Sequence, residues 1–199
     1  MRQSDVMVYL MTGFLDSGKT QFLTFTLEQD YFQIQGKTLL ILCEEGEEEY
    51  DPKEMLKYGV VIEKVEDKED LTEAWLEEMN RKHKPERVVV EYNGMWPVSD
   101  FEKLALPAGW KIEQKIATVD ASTFQMYLTN LKPLFVEMVK GAELVLFNRC
   151  EDRGPLAGYR RSVKVVSPQA EVIFEDENGE VDNIFEDEVP YDLNAPVIE

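Results

Sequence analysis

The sequence predicts an α/β fold of three layers, a mostly parallel central sheet flanked by helices. Three observations predict it. Apolar runs of strand length alternate with runs of helical length along 199 residues. A glycine loop stands between the first apolar run and the first helical one. A hydrophobic content of 44% is enough for one globular domain with a continuous core.

The elements follow in order. Val6 to Met11 reads as a buried strand, and Lys19 to about Gln33 as the helix after the glycine loop. Thr38 to Leu42 is a second apolar strand, ending in an acidic loop from Glu44 to Asp51. Val60 to Ile62 is a short third strand. Asp70 to Lys82 is helical, because Leu71, Trp75, Leu76 and Met79 recur at helical spacing. Arg87 to Glu91 is a strand ending on a carboxylate, and Trp110 to Val119 another with partial alternation. Phe124 to Lys140 reads as a helix that Pro133 kinks or splits. Glu143 to Phe147 is a strand ending at Asn148, and a weaker helix from Leu156 to Val163 leads to a strand from Glu171 to Phe174.

Residues 1–175 therefore form the expected domain. Residues 176–199 are an acidic tail, or the start of a further domain, and the chain is expected to be a fragment of a longer protein.

Charge narrows the partners. Lys and Arg number 21 against 40 acids, a formal net charge of -19. Such a surface repels a nucleic-acid backbone and an anionic membrane, so neither is an expected partner. A bound phosphate must be held locally, by backbone amides and a few placed cations. Cys43 and Cys150 form neither a disulfide framework nor a zinc spacing, and no spanning segment or signal peptide is legible. A reducing, cytoplasmic setting is expected.

Gly13-Phe14-Leu15-Asp16-Ser17-Gly18-Lys19-Thr20 matches G-x-x-x-x-G-K-[ST], with a strand before it and a helix after it. This is the P-loop, and it refines the fold class to a three-layer P-loop NTPase. The glycines allow a tight turn in which several amides, those of Asp16, Ser17, Gly18 and Gln21 among the expected contacts, surround one anion. Lys19 is expected to reach the β- and γ-phosphates, and the Thr20 hydroxyl to ligate Mg²⁺.

Glu91 ends an apolar strand and opens Glu91-Tyr92-Asn93-Gly94. After a P-loop, a carboxylate in this place holds Mg²⁺ or polarises the attacking water, and the Gly94 amide senses the γ-phosphate. An ordinary strand-end glutamate is the plainer alternative. Asn148-Arg149-Cys150-Glu151-Asp152 stands where GTPases carry N-K-x-D. The motif's carboxylate accepts from guanine N1 and N2, and a site built for those donors rejects adenine. Here Arg149 replaces Lys, Glu151 replaces Asp, and Asp152 competes for the role one position late.

These residues resemble the CobW-type P-loop GTPases, relatives of the urease and hydrogenase nickel-accessory GTPases. The loop string is similar to that family's G-F-L-G-S-G-K-T, Glu91-x-x-Gly94 matches its characteristic glutamate, and Val166-Ser167-Pro168-Gln169-Ala170 resembles its N-P-x-A segment beside the base. The resemblance runs from Val6 to Phe174. It implies that Glu44, Gly46, Glu47 and Asp51 belong to a nucleotide-responsive switch, with Glu44 or Asp51 helping to hold Mg²⁺, and that Ser167 lies near the base. An acidic, solvated loop is the plainer alternative for each single residue. The family's C-x-C-C metal motif is absent, since no cysteine lies between Asp51 and Arg87, and its C-terminal domain is absent from this chain. His83, between Lys82 and Lys84, reads as a helix-end residue.

The expected activity is Mg-dependent binding of GTP and GDP with slow hydrolysis, in which Lys19, Glu91 and Glu44 act on the γ-phosphate and its water. The resemblance implies a role in metal homeostasis or metallocofactor delivery, a metalloprotein or transporter as partner, and a homodimer among the allowed assemblies. Two other classes stay open: a P-loop ATPase or kinase, for which Arg160-Arg161 is the only adjacent arginine pair, and a non-hydrolysing, nucleotide-gated interaction module.

Overall fold

The computed structural model describes residues 5–44, 46, 48–151, 156–177 and 179–180. Its sheet has eight strands: β1 (Val6–Thr12), β2 (Thr38–Leu42), β3 (Val60–Lys64), β4 (Arg87–Glu91), β5 (Trp110–Asp120), β6 (Leu144–Asn148), β7 (Glu171–Asp176) and β8 (Gly179–Glu180). They lie in the order β3-β2-β4-β1-β5-β6-β7-β8. Every pairing is parallel except that of the two-residue β8 with β7. The expected three-layer, mostly parallel fold is therefore present.

Among the described residues seven helices accompany the strands: α1 (Lys19–Glu28), α2 (Pro52–Lys57), α3 (Glu73–His83), α4 (Val98–Glu102), α5 (Phe124–Asn130), α6 (Lys132–Val139) and α7 (Leu156–Val166). Parallel strands need right-handed crossovers, so the direction of each step across the sheet sets the face its helix covers. The steps β1→β2 and β2→β3 run one way, the later ones the other. Accordingly Leu23 and Leu27 of α1 and Met55 of α2 pack with Met11, Leu40 and Val89 on one face. Leu76 and Met79 of α3 pack with Val8, Leu10, Ile41 and Val90 on the opposite face. Phe124, Phe135 and Val163 extend that layer over Ala117, Val145 and Phe147. The strands read as continuous apolar runs because both faces are covered; β4 is buried at every position.

The helical spans differ from the expected ones for local reasons. α1 stops at Glu28, and Asp30–Phe32 forms a separate 3-10 turn before Gln33. α3 begins only at Glu73, because the Thr72 hydroxyl caps it by accepting from the Trp75 N–H at 3.2 Å. Thr72→Ala should cost about 1 kcal/mol of stability, read from the midpoint of a denaturant titration. Pro133 splits the expected long helix rather than kinking it: α5 ends at Asn130, and the proline occupies the first turn of α6, where its missing N–H costs nothing. The short helices α2 and α4 are absent from the sequence reading.

Parallel strands bring their C-terminal ends to one edge of the sheet, where ligands bind in open α/β folds. The P-loop follows β1, Glu44 follows β2, Glu91 ends β4, Asp120 ends β5 and Asn148 ends β6. All of them converge on that edge.

Candidate nucleotide site

The P-loop turns sharply between β1 and α1. Gly18 precedes α1 at φ 89°, and a Cβ there would fall 2.4 Å from the Asn148 Nδ2, so glycine is required twice over. Asp16 also takes a left-handed conformation, φ 57°, and is exposed. Ser17 is buried and its Oγ lies 2.8 Å from the Thr118 Oγ1 of β5. The Phe14 ring stacks on Tyr127 of α5 at 4.1 Å, which anchors the loop to the neighbouring layer.

Lys19 is 4% exposed, and its ammonium makes three contacts within the chain. It donates to the Gly13 and Phe14 carbonyls at 2.9 Å each and to the Glu44 Oε2 at 2.5 Å. The other oxygen of Glu44 accepts from the Gly94 N–H at 3.2 Å. The expected phosphate ligands Lys19 and Gly94 are thus brought together, with a carboxylate between them.

One residue along, the Thr20 hydroxyl donates to the Glu91 Oε1 at 2.8 Å, and the Tyr50 hydroxyl donates to the Glu91 Oε2. Burial holds the Glu91 carboxyl above its ordinary pKa, against the pull of the two hydroxyls and the Lys19 charge. Burial, with the Glu91 charge beside it, also keeps the Tyr50 phenol protonated. Thr20 and Glu91 offer an all-oxygen donor set, which fits Mg²⁺ with its retained waters. Among the described residues no group of three or more His, Cys, Asp and Glu side chains could hold a metal ion by itself. The thiols fit none either: burial lifts Cys43 well above the ordinary range and Cys150 up to about 11.

The residues expected to read the base also stand against the P-loop. The Asn148 Nδ2 donates to the Ser17 carbonyl at 2.8 Å, and Asn148 Oδ1 is buried with no hydrogen-bond partner among the described residues. An unpaired buried acceptor costs about 1–3 kcal/mol, so this atom favours a ligand that carries a donor. Arg149 is held at φ 53°, an unusual conformation for arginine, and its Nη1 donates to the Asp16 carbonyl at 2.9 Å and to Asp120 Oδ2 at 2.6 Å. A cavity of about 720 Å³ opens beside them, with Gly18, Gln21, Asn148, Arg149, Glu151 and Glu175 on its wall. That volume is in the range of small-molecule pockets.

Two expected residues lie elsewhere. Ser167 follows α7, which descends from the ligand edge to the opposite one. Its hydroxyl donates to the Ala142 carbonyl, just before β6 begins, at 3.1 Å. The length of β6, roughly 15 Å or more, separates that point from Asn148. Ser167 therefore does not adjoin Asn148; Glu175, Asp176 and Glu177, at the end of β7, line the cavity with Asn148 instead. Asp51 is exposed and caps α2, its Oδ1 accepting from the Lys53 N–H at 2.8 Å, and it does not line the P-loop cleft. Of the expected metal-side residues, Thr20, Glu44 and Glu91 line that cleft. Glu47 and Asp152 lie outside the described residues. His83 ends α3, its Nε2 2.6 Å from the Glu63 Oε1, as a helix-end residue should.

Three contributors were not read from sequence. Tyr50 had no motif to mark it. Thr118 is invisible without the register that sets β5 beside β1. Asp120 ends a strand at the same edge as Glu91, and that shared position is the signal that would have found it.

Residues 7–174 match the family model described as CobW/HypB/UreG, nucleotide-binding domain. No curated protein sequence matches the chain. Among solved structures, the Zn(II)-bound YjiA GTPase from E. coli is 22% identical with a TM-score of 0.63, over 91% of this chain and 60% of that one. The hydrogenase maturation factor HypB from Archaeoglobus fulgidus is 18% identical at a TM-score of 0.55, over 86% of this chain and 81% of that one. HypB from Helicobacter pylori, in complex with nickel, is 14% identical at 0.54, over 86% and 79%. At these identities the likeness is one of fold. The chain spans 60% of the length of the YjiA chain.

Proposed function

The chain belongs to the CobW/HypB/UreG nucleotide-binding domain family, and from that premise we propose that it binds GTP with Mg²⁺ and hydrolyses it slowly. The observation that carries this reading is the buried Lys19 beneath a P-loop, with the Thr20 hydroxyl and the Glu91 carboxylate in contact beside it. The P-loop amides and Lys19 hold the phosphates. Thr20 and Glu91 would hold Mg²⁺, which would supply charge neutralisation at the phosphates. Glu91 orients the attacking water, and the Gly94 amide binds the γ-phosphate.

The cations among the described residues support slow turnover. Among the described residues the arginine lining the cleft is Arg149, tied to Asp16 and Asp120, which leaves no guanidinium aimed at the transferring phosphoryl group. Arg160 of the adjacent pair lies over the Phe174 ring at 5.5 Å, where it serves packing and not a kinase-like lid. In the cell the domain serves metal homeostasis or metallocofactor delivery in the cytoplasm, with a metalloprotein or transporter as partner. Among the described residues no helix is long and apolar enough to cross a membrane.

Guanine preference rests on Asn148, Arg149 and Glu151. Glu151→Ala should weaken GTP binding about tenfold more than ATP binding, because a charge-assisted pair to guanine is lost and none to adenine. Competition titrations with the two nucleotides measure it. Equal losses would move the reading of the base to another residue, Asp152 being the neighbouring candidate.

A further inference from the structure

The expected γ-phosphate ligands, the Lys19 ammonium and the Gly94 N–H, are both engaged by the Glu44 carboxylate. The contact is buried, with side-chain exposures of 3% for Lys19 and 9% for Glu44. It also completes Lys19: two of its protons go to the Gly13 and Phe14 carbonyls and the third to Glu44. The cleft that remains, lined by Lys19, Thr20, Glu44, Gly46, Glu48 and Glu91 among others, holds about 80 Å³. Pockets that take drug-sized ligands are roughly 300–1,000 Å³.

We propose that Glu44 is a built-in competitor for the γ-phosphate and so sets the preference of this site between nucleoside triphosphate and diphosphate. The inference rests on the phosphate-binding reading above and assigns Glu44 a part distinct from metal ligation. A triphosphate needs the third proton of Lys19 and the Gly94 amide. Two anions cannot share those donors in a site closed to water, because like charges at contact repel strongly there. The carboxylate must therefore leave when the γ-phosphate enters. A diphosphate draws on Lys19 through its β-phosphate alone and makes no demand on Gly94, so Glu44 keeps the Gly94 contact and competes with it far less.

The chain around Glu44 confines the movement. On one side, the Cys43 N–H donates to the Glu91 carbonyl at 2.9 Å, and the Cys43 carbonyl accepts from the Asn93 Nδ2 at 3.2 Å. On the other, Tyr50 is buried against Glu91 and Asp51 caps α2. Glu44 therefore lies between two points held by these contacts.

The test compares wild type with Glu44→Gln in titrations with GDP and with a non-hydrolysable GTP analogue, in EDTA so that no metal contributes. Gln retains an oxygen for Lys19 and removes the charge. The expected result is analogue affinity at least about tenfold higher in the variant, with GDP affinity changed less than about threefold. Glu44→Asp, one methylene shorter and out of reach of Gly94, keeps the test available if the glutamine variant folds poorly, and should show a smaller gain in the same direction. Unchanged or weaker analogue binding in the variant, with wild type binding both ligands, would overturn the competitor role alone. Failure of wild type to bind either ligand, with or without Mg²⁺, would remove the phosphate-binding reading and this inference with it.

Discussion

Lys19→Ala is expected to leave no nucleotide binding measurable by titration. The loss has two parts. The first is the ammonium itself, whose charge-assisted hydrogen bonds to phosphate oxygens are among the strongest a protein makes in such a site. The second is what remains behind. Glu44 is then a buried carboxylate without its cation, and it stands where the phosphate must go. Breaking a buried pair from one side costs about 3–5 kcal/mol, so the variant should also unfold at lower denaturant concentration. The two parts separate in the double variant Lys19→Ala with Glu44→Gln, which should regain much of the stability and little of the binding. Wild-type affinity in Lys19→Ala would mean that the phosphates are held elsewhere.

Gly94→Ala is expected to damage the site from the opposite wall. A Cβ at this position would lie 2.3 Å from the Gly13 carbonyl oxygen and 2.7 Å from the Phe14 Cα. Both are P-loop backbone, which cannot rotate away as a side chain would. The collision must push the loop after β4 off the P-loop, at a cost of about 1–3 kcal/mol in stability. Nucleotide affinity should fall more steeply than stability, because the displaced atoms carry the Gly94 N–H and the two carbonyls that fix Lys19. Thermal unfolding and a GTP titration of the same variant read the two losses. Unaltered values in both would show that these loops do not approach as closely as the fold requires.

The strands and the phosphate side were legible because their signals are local. A run such as Val88-Val89-Val90 is a buried parallel strand in nearly any context, and the P-loop string carries its own flanking requirements. Helix α2 escaped because it is six residues long and follows an acidic run, although Asp51-Pro52 is a cap-and-first-turn signature that could have announced it. Ser167 was misplaced for a topological reason. String similarity carries no topology, and only the descent of α7 between β6 and β7 decides which edge of the sheet the segment reaches. Tyr50 and Thr118 depend on tertiary contacts across loops and strands, which no spacing along the chain encodes. The Glu44 contact is of the same kind: the sequence offered a carboxylate for metal or water, and the fold brings it onto Lys19.

The measurement that tests the central claim most directly is calorimetric titration of the protein with GTP and ATP analogues, with and without Mg²⁺. Saturable binding that requires Mg²⁺ for full affinity and favours the guanine nucleotide is the predicted result. Absence of binding for both nucleotides, or tighter binding of the adenine nucleotide, would contradict it.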